Sequence, residues 1–107
     1  MKNTMSAIAI YTTCKDEKEA KHIANLLLEK KLIACANATQ HKSFYTWKGK
    51  QHEEKETVMI MKSRKELFPK IAEEIKRAHS YELPCIVYWD IEGTSDYINW
   101  ITEETEK

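Results

Sequence analysis

Ser43-Phe44-Tyr45-Thr46-Trp47-Lys48-Gly49-Lys50 reads as the tip of a β-hairpin. Aromatic and β-branched residues favour a strand, and Lys48-Gly49 supplies the turn, since glycine takes positive φ without strain. Upstream, the strand begins at Leu32-Ile33-Ala34-Cys35-Ala36; downstream, the chain returns through Glu56-Thr57-Val58-Met59-Ile60-Met61-Lys62. A two-residue turn sets Trp47 opposite Lys50, Tyr45 opposite His52, Ser43 opposite Glu54 and His41 opposite Glu56. All of these share one face of the ribbon. If the strand is continuous from Ile33 to Trp47, it spans roughly 50 Å at about 3.3 Å per residue. A compact domain of this length has a radius of gyration of only about 13 Å. The ribbon therefore either folds back through a bulge near Gln40 or His41, or projects past its own helices. A projecting two-stranded ribbon is marginally stable alone and offers unpaired edges. The reading favours pairing with further copies under closed rotational symmetry, with Phe44, Tyr45 and Trp47 sheltered at the interface.

Outward from the hairpin, Ala7-Ile8-Ala9-Ile10-Tyr11 is a short apolar run suited to a central strand. Asp16 caps a helix, with Glu19 at the capping-box position. Ala20, Ile23, Ala24, Leu27 and Leu28 then form one apolar stripe. A second helix starts near Glu66 or Leu67, because a start at Ser63 would place Pro69 too deep. Its buried face is Leu67, Phe68, Ile71, Ala72, Ile75 and Ala78. Cys85 to Trp89 makes a fourth strand, and Thr94 or Ser95 caps a last helix bearing Tyr97, Ile98, Trp100 and Ile101. The order is βαββαβ plus a helix. It predicts an α+β fold, a ferredoxin-like sandwich with a long central hairpin and an extra C-terminal helix. Its helices are expected on one face of an antiparallel sheet, with right-handed crossovers. With two glycines, two prolines and no linker, residues 1–107 read as a single domain.

Composition narrows the function. Lys plus Arg and Asp plus Glu both number 17, so the net charge is zero. That balance argues against nucleic acid as the main partner. No segment approaches the roughly 20 apolar residues that cross a bilayer, and Ala7 to Tyr11 is too short for a secretory signal. Three cysteines (Cys14, Cys35 and Cys85), odd in number and without a CxxC pair, suit free thiols in a cytoplasmic protein. There is no phosphate loop, nucleophile elbow or HExxH, and the expectation is a binding protein, not an enzyme.

His79 is the strongest metal-ligand candidate, because neutral imidazole binds copper, zinc and nickel. The competing reading is a histidine that orients the Tyr81-Glu82-Leu83-Pro84 turn by hydrogen bonding. Cys14 ends strand one, where thiolate would favour soft ions such as Cu(I). The positive end of the Asp16 helix is expected to lower its pKa; otherwise it is a small buried hydrophobe. Cys35 reads as core, and Cys85 stands beside the His79 segment. His41 and Glu56 form either a second metal pair or an ordinary cross-strand pair.

Several segments together resemble the CutA divalent-ion tolerance family over nearly the whole chain. They are Tyr11-Thr12-Thr13-Cys14, Ala20 with Ile23-Ala24, Leu32 with Ala34-Cys35-Ala36-Asn37, and Ser43-x-Tyr45-x-Trp47-x-Gly49-Lys50. Glu54, Lys62, His79-x-Tyr81-Glu82-x-Pro84, and Tyr97 with Trp100 complete the set. The resemblance implies a homotrimer whose long strands pair around a threefold axis, with binding clefts between subunits. It also implies copper or another divalent metal as the bound ion, no organic cofactor, and a role in metal-ion tolerance. On these positions His79 and Cys14 become the expected metal ligands, while Cys35, Trp47, Glu54, Lys62 and Tyr81 line the cleft. Lys15, Gln40, Ser80 and Cys85 depart from the pattern, and Ala78-His79 replaces the adjacent histidine pair of some members. The rival reading is a trimeric regulatory or scaffold protein that binds a small anion or a protein partner, with Lys62 as the anion contact.

Overall fold

Alternation along the first strand, β1 (Ala7–Cys14), sorts the sheet into two faces. Ile8, Ile10, Thr12 and Cys14 are fully buried on one side, while Tyr11 and Thr13 on the other are half-buried. The computed structural model describes residues 6–106, so residues 1–5 and 107 of the expected 1–107 domain lie outside the described residues. After β1 come α1 (Glu17–Glu29), β2 (Cys35–Trp47), β3 (Lys50–Arg64), a 3-10 turn (Lys65–Leu67), α2 (Phe68–Ala78), β4 (Ile86–Ile91) and α3 (Ser95–Glu106). The sheet order is β2-β3-β1-β4, antiparallel throughout, which is the ferredoxin-like arrangement.

Local chemistry fixes the helices. Asp16 accepts from the Glu19 amide at 2.8 Å, capping α1. The Glu19 side chain does not complete a capping box on Asp16; it accepts from Lys15 N at 3.0 Å instead. At the other end, Lys31 takes φ 59°, and Leu32 N donates to Leu27 O at 3.0 Å, the Schellman geometry that turns the chain toward β2. Pro69 sits in the first turn of α2, where its missing N–H does no harm. Together α1 and α2 pack Ile23, Leu27, Ile71 and Ile75 onto Ile8, Ile10, Met59 and Met61.

The third helix departs from the expected one-sided arrangement. Arg64 and Cys35 lie on the sheet face opposite Ile8 and Met61. Arg64 donates through Nε to Thr105 Oγ1 at 2.8 Å and through Nη2 to Thr105 O at 2.9 Å, while Tyr97 Oη lies 3.6 Å from Cys35 Sγ. These contacts hold α3 against the second face, where Ile101 is completely buried. Among the described residues, no helix is long and apolar enough to cross a membrane.

The hairpin is unbroken. Its register runs from Cys35 opposite Lys62 to Trp47 opposite Lys50 with no extra residue on either strand, which removes the bulge at Gln40 or His41. Lys48 and Gly49 have φ of 52° and 79°, so the turn has positive φ at both central positions. β1 stops pairing with β3 at Thr57, and the ribbon beyond it has only two strands. The molecule measures 51 × 24 × 22 Å with a radius of gyration of 14.7 Å. Phe44, near the tip, is 71% exposed.

Candidate functional site

Three chain segments meet where β1 runs into α1 and α2 ends. Cys14 is the last residue of β1, Glu19 lies in the first turn of α1, and His79 directly follows α2. One donor atom from each lies within 4.8 Å of the other two. The sequence singled out Cys14 and His79; Glu19 was read only as a helix cap. Its position three residues after Asp16 was the available signal, but nothing local indicated that its carboxylate would point toward the end of α2.

The hydrogen bonds define the protonation. His79 Nε2 is 2.8 Å from Thr13 O, a pure acceptor, so Nε2 carries the proton and donates. Nδ1 then accepts from Tyr81 N at 3.1 Å. Glu19 Oε2 accepts from Ser80 N at 2.8 Å. Burial opposes ionisation of Glu19, but donation from Lys15 and Ser80 outweighs it, holding its carboxyl below the usual range. The expected activation of Cys14 is overturned. Burial, followed by the carboxylates of Glu19, Asp16 and Glu56, pushes its thiol up to about 12. The helix N-terminus is present, but burial above all, and then the acids around the thiol, prevail over it.

Tyr81 links this corner to the hairpin. Its ring lies 4.8 Å from the His79 ring, and its hydroxyl donates to Glu56 Oε2 at 2.5 Å. Burial and that carboxylate raise the Tyr81 hydroxyl well above its ordinary range. Glu56 is thereby engaged by Tyr81, although it stands opposite His41 as expected. Cys85 is exposed and outside the three-donor cluster.

The other residues expected to line a cleft are distributed along the ribbon. Tyr45 donates to Glu54 at 2.6 Å and stacks on His52 with centroids 5.2 Å apart. Lys48 Nζ lies 5.5 Å from the Trp47 ring centre. Lys62 stands across from Cys35, which is half-buried beneath Tyr97 and outside the core cluster. Glu54 and Lys62, eight residues apart on β3, are separated by about 26 Å, so one chain cannot place them in a single pocket.

As donors, a thiol, an imidazole and a carboxylate fit zinc, copper or nickel. Both nitrogens of His79 and both oxygens of Glu19 nevertheless have hydrogen-bond partners already. The corner is complete without an ion. An ion held there would replace some of these hydrogen bonds and the Cys14 proton.

Over residues 8–104 the chain matches the family model of the CutA1 divalent ion tolerance protein. It is 42% identical to the divalent-cation tolerance protein CutA of Pyrococcus horikoshii, over 94% of this chain and 99% of that one. It is 45% identical to the Archaeoglobus fulgidus protein of the same name, over 91% and 96%. Protein CutA of Homo sapiens is 37% identical over 94% of this chain, which spans 58% of its length. The structure of the periplasmic divalent cation tolerance protein CutA from Archaeoglobus fulgidus aligns with a TM-score of 0.92 at 42% identity, over 94% and 99%. CutA1 from Oryza sativa aligns with a TM-score of 0.91 at 29% identity, over 97% of each chain.

Proposed function

This chain belongs to the CutA1 divalent ion tolerance family, and on that footing we propose that it serves metal-ion tolerance as a cytoplasmic homotrimer taking up copper or another divalent ion through Cys14 and His79. The observation that carries the metal reading is the convergence of Cys14, Glu19 and His79 within 4.8 Å. When bound, a divalent ion would supply positive charge to a corner that otherwise gathers carboxylates. The chain's own part is to release the Cys14 proton and to free His79 Nδ1 from the Tyr81 amide. The protein is read as a binder, with no chemical step assigned.

Threefold association is supported by the two-stranded ribbon with its exposed Phe44 and Tyr45. It also offers a way for Glu54 of one copy to approach Lys62 of another. The three free thiols support a reducing compartment, and cell fractionation tests it, recovery in the soluble cytoplasmic fraction being the expected result. Titration with Cu(I), Cu(II) and Zn(II) tests the metal site. Cys14→Ser and His79→Ala are each expected to weaken binding by about tenfold or more. Equal affinity in the wild type and both variants removes these residues as ligands.

A further inference from the structure

The corner formed by Cys14, Glu19 and His79 is closed. The side chains of Cys14 and His79 are completely buried, and that of Glu19 nearly so. A solute reaches the thiol only when part of the wall moves. Two parts are held by regular hydrogen bonding: Cys14 stands opposite Thr57 in the sheet, and Glu19 lies in the first turn of α1 under the Asp16 cap. The third is residues 79–85, which join α2 to β4 as neither helix nor strand. Ser80, Glu82 and Leu83 in this segment are exposed. Irregular, exposed backbone of this kind opens locally at less cost than the sheet beneath it.

Four contacts hold residues 80–82 down, and they are unequal. Ser80 N donates to Glu19 Oε2 at 2.8 Å, and Tyr81 N donates to His79 Nδ1 at 3.1 Å. Both of these end on donor groups of the corner itself. Glu82 meets Lys48 at 3.6 Å, but both side chains are well exposed, and such a pair contributes little. The fourth contact reaches a different element. The Tyr81 hydroxyl donates to Glu56 Oε2 at 2.5 Å, and Glu56 is a buried carboxylate on β3. Hydrogen bonds to an ionised group are among the stronger kinds. The Tyr81 ring also lies against the His79 ring, with 4.8 Å between centres.

We propose that residues 80–82 form a gate over the Cys14, Glu19 and His79 corner, and that the hydrogen bond from Tyr81 to Glu56 is its latch. In the closed state the Ser80 and Tyr81 amides occupy Glu19 and His79 Nδ1. Opening carries Tyr81 off Glu56, frees those two groups together and clears a path to the thiol. His79 stays in place through Nε2 on Thr13 O. Tyr81 is then a positioning residue, which touches no ion and sets the fraction of molecules that are open. A ligand that needs the open state binds with an apparent affinity lowered by that fraction. That the entering solute is a metal ion rests on the proposed function; the gate itself rests on the contacts above.

The gate is tested first without a metal. Iodoacetamide is small and uncharged, and mass spectrometry of the Cys14 peptide follows its alkylation apart from that of Cys35 and Cys85. At one fixed pH, Tyr81→Phe is expected to speed Cys14 alkylation about tenfold, the size of one hydrogen bond to a charged group. Lys48→Met is expected to change it by less than about twofold. In low urea the rate is expected to stay constant, since local opening exposes little new surface. An unchanged rate in Tyr81→Phe overturns the gate, as does a rate that follows urea in step with global unfolding. Stopped-flow mixing with Co(II), read by thiolate-to-cobalt charge-transfer absorption, then separates the two readings. Uptake accelerated by the same factor as alkylation supports both. Faster alkylation with no charge-transfer band keeps the gate and removes the metal reading. A band that Cys14→Ser abolishes, but whose rate of appearance Tyr81→Phe leaves unchanged, keeps the metal reading and overturns the gate.

Discussion

His79 Nε2 donates to the carbonyl oxygen of Thr13 at 2.8 Å, joining the end of α2 to the end of β1 across 66 residues of sequence. The imidazole is also an acceptor for Tyr81 N, so a single ring satisfies two backbone groups. His79→Ala leaves both without their partner and opens a cavity. Chemical denaturation is expected to show a loss of about 2–4 kcal/mol. A loss below about 0.5 kcal/mol would mean that water replaces the ring at no cost.

Cys14 makes stability fall at alkaline pH. Its folded pKa is about 12, against about 8.5 in an unfolded chain. Between these values the unfolded state releases the thiol proton and the folded state keeps it, so stability declines as pH rises. Tyr45, pushed up to about 12 by its bond to Glu54, adds to the decline above pH 10. Denaturation midpoints for Cys14→Ala are expected to fall less steeply than those of the wild type between about pH 8.5 and 10, the remainder coming from the Cys85 thiol, which is also raised.

The same thiol makes metal uptake pH-dependent in the opposite direction. A proton must leave before sulfur can bind an ion, so affinity is expected to rise roughly tenfold per pH unit between about pH 6 and 8. Cys14→Ser is expected to flatten that slope. A slope that survives the substitution places the titrating ligand elsewhere.

Thr12 Oγ1 is buried and has no hydrogen-bond partner among the described residues. Thr12→Val removes the orphaned hydroxyl and keeps the branched shape that suits β1. Thermal and urea denaturation are expected to show a gain of about 1 kcal/mol. A comparable loss would indicate that the hydroxyl meets a buried water.

At the hairpin turn, Gly49 holds φ 79° with open space where a Cβ would stand. Gly49→Ala therefore acts through the backbone alone, at about 1 kcal/mol or somewhat more. Lys48, at φ 52°, pays a similar strain, and Lys48→Asn is expected to return several tenths of a kcal/mol.

The ribbon was legible because its signals are local. Strand alternation and Lys48-Gly49 define the register down to His41 opposite Glu56, and the positions of Asp16 and Pro69 mark where the helices begin. The face chosen by α3 was not legible, since it depends on Arg64 meeting Thr105 and Tyr97 meeting Cys35. The chemistry of Cys14 was misread for a related reason. A helix N-terminus is visible in sequence, but the burial of the thiol, which raises it most, and the carboxylate of Glu19 beside it are not. Glu19 escaped notice as a member of the corner because its capping position already accounted for it.

Phe44 is 71% exposed near the tip of the two-stranded ribbon, and the proposed trimer would shelter it. Sedimentation equilibrium of the purified protein, run alongside Phe44→Asp, tests that assembly directly. The expected particle has three times the 12.6 kDa mass of the chain, and Phe44→Asp is expected to weaken it. A fully folded wild-type particle of 12.6 kDa would contradict the trimer and the clefts between its subunits.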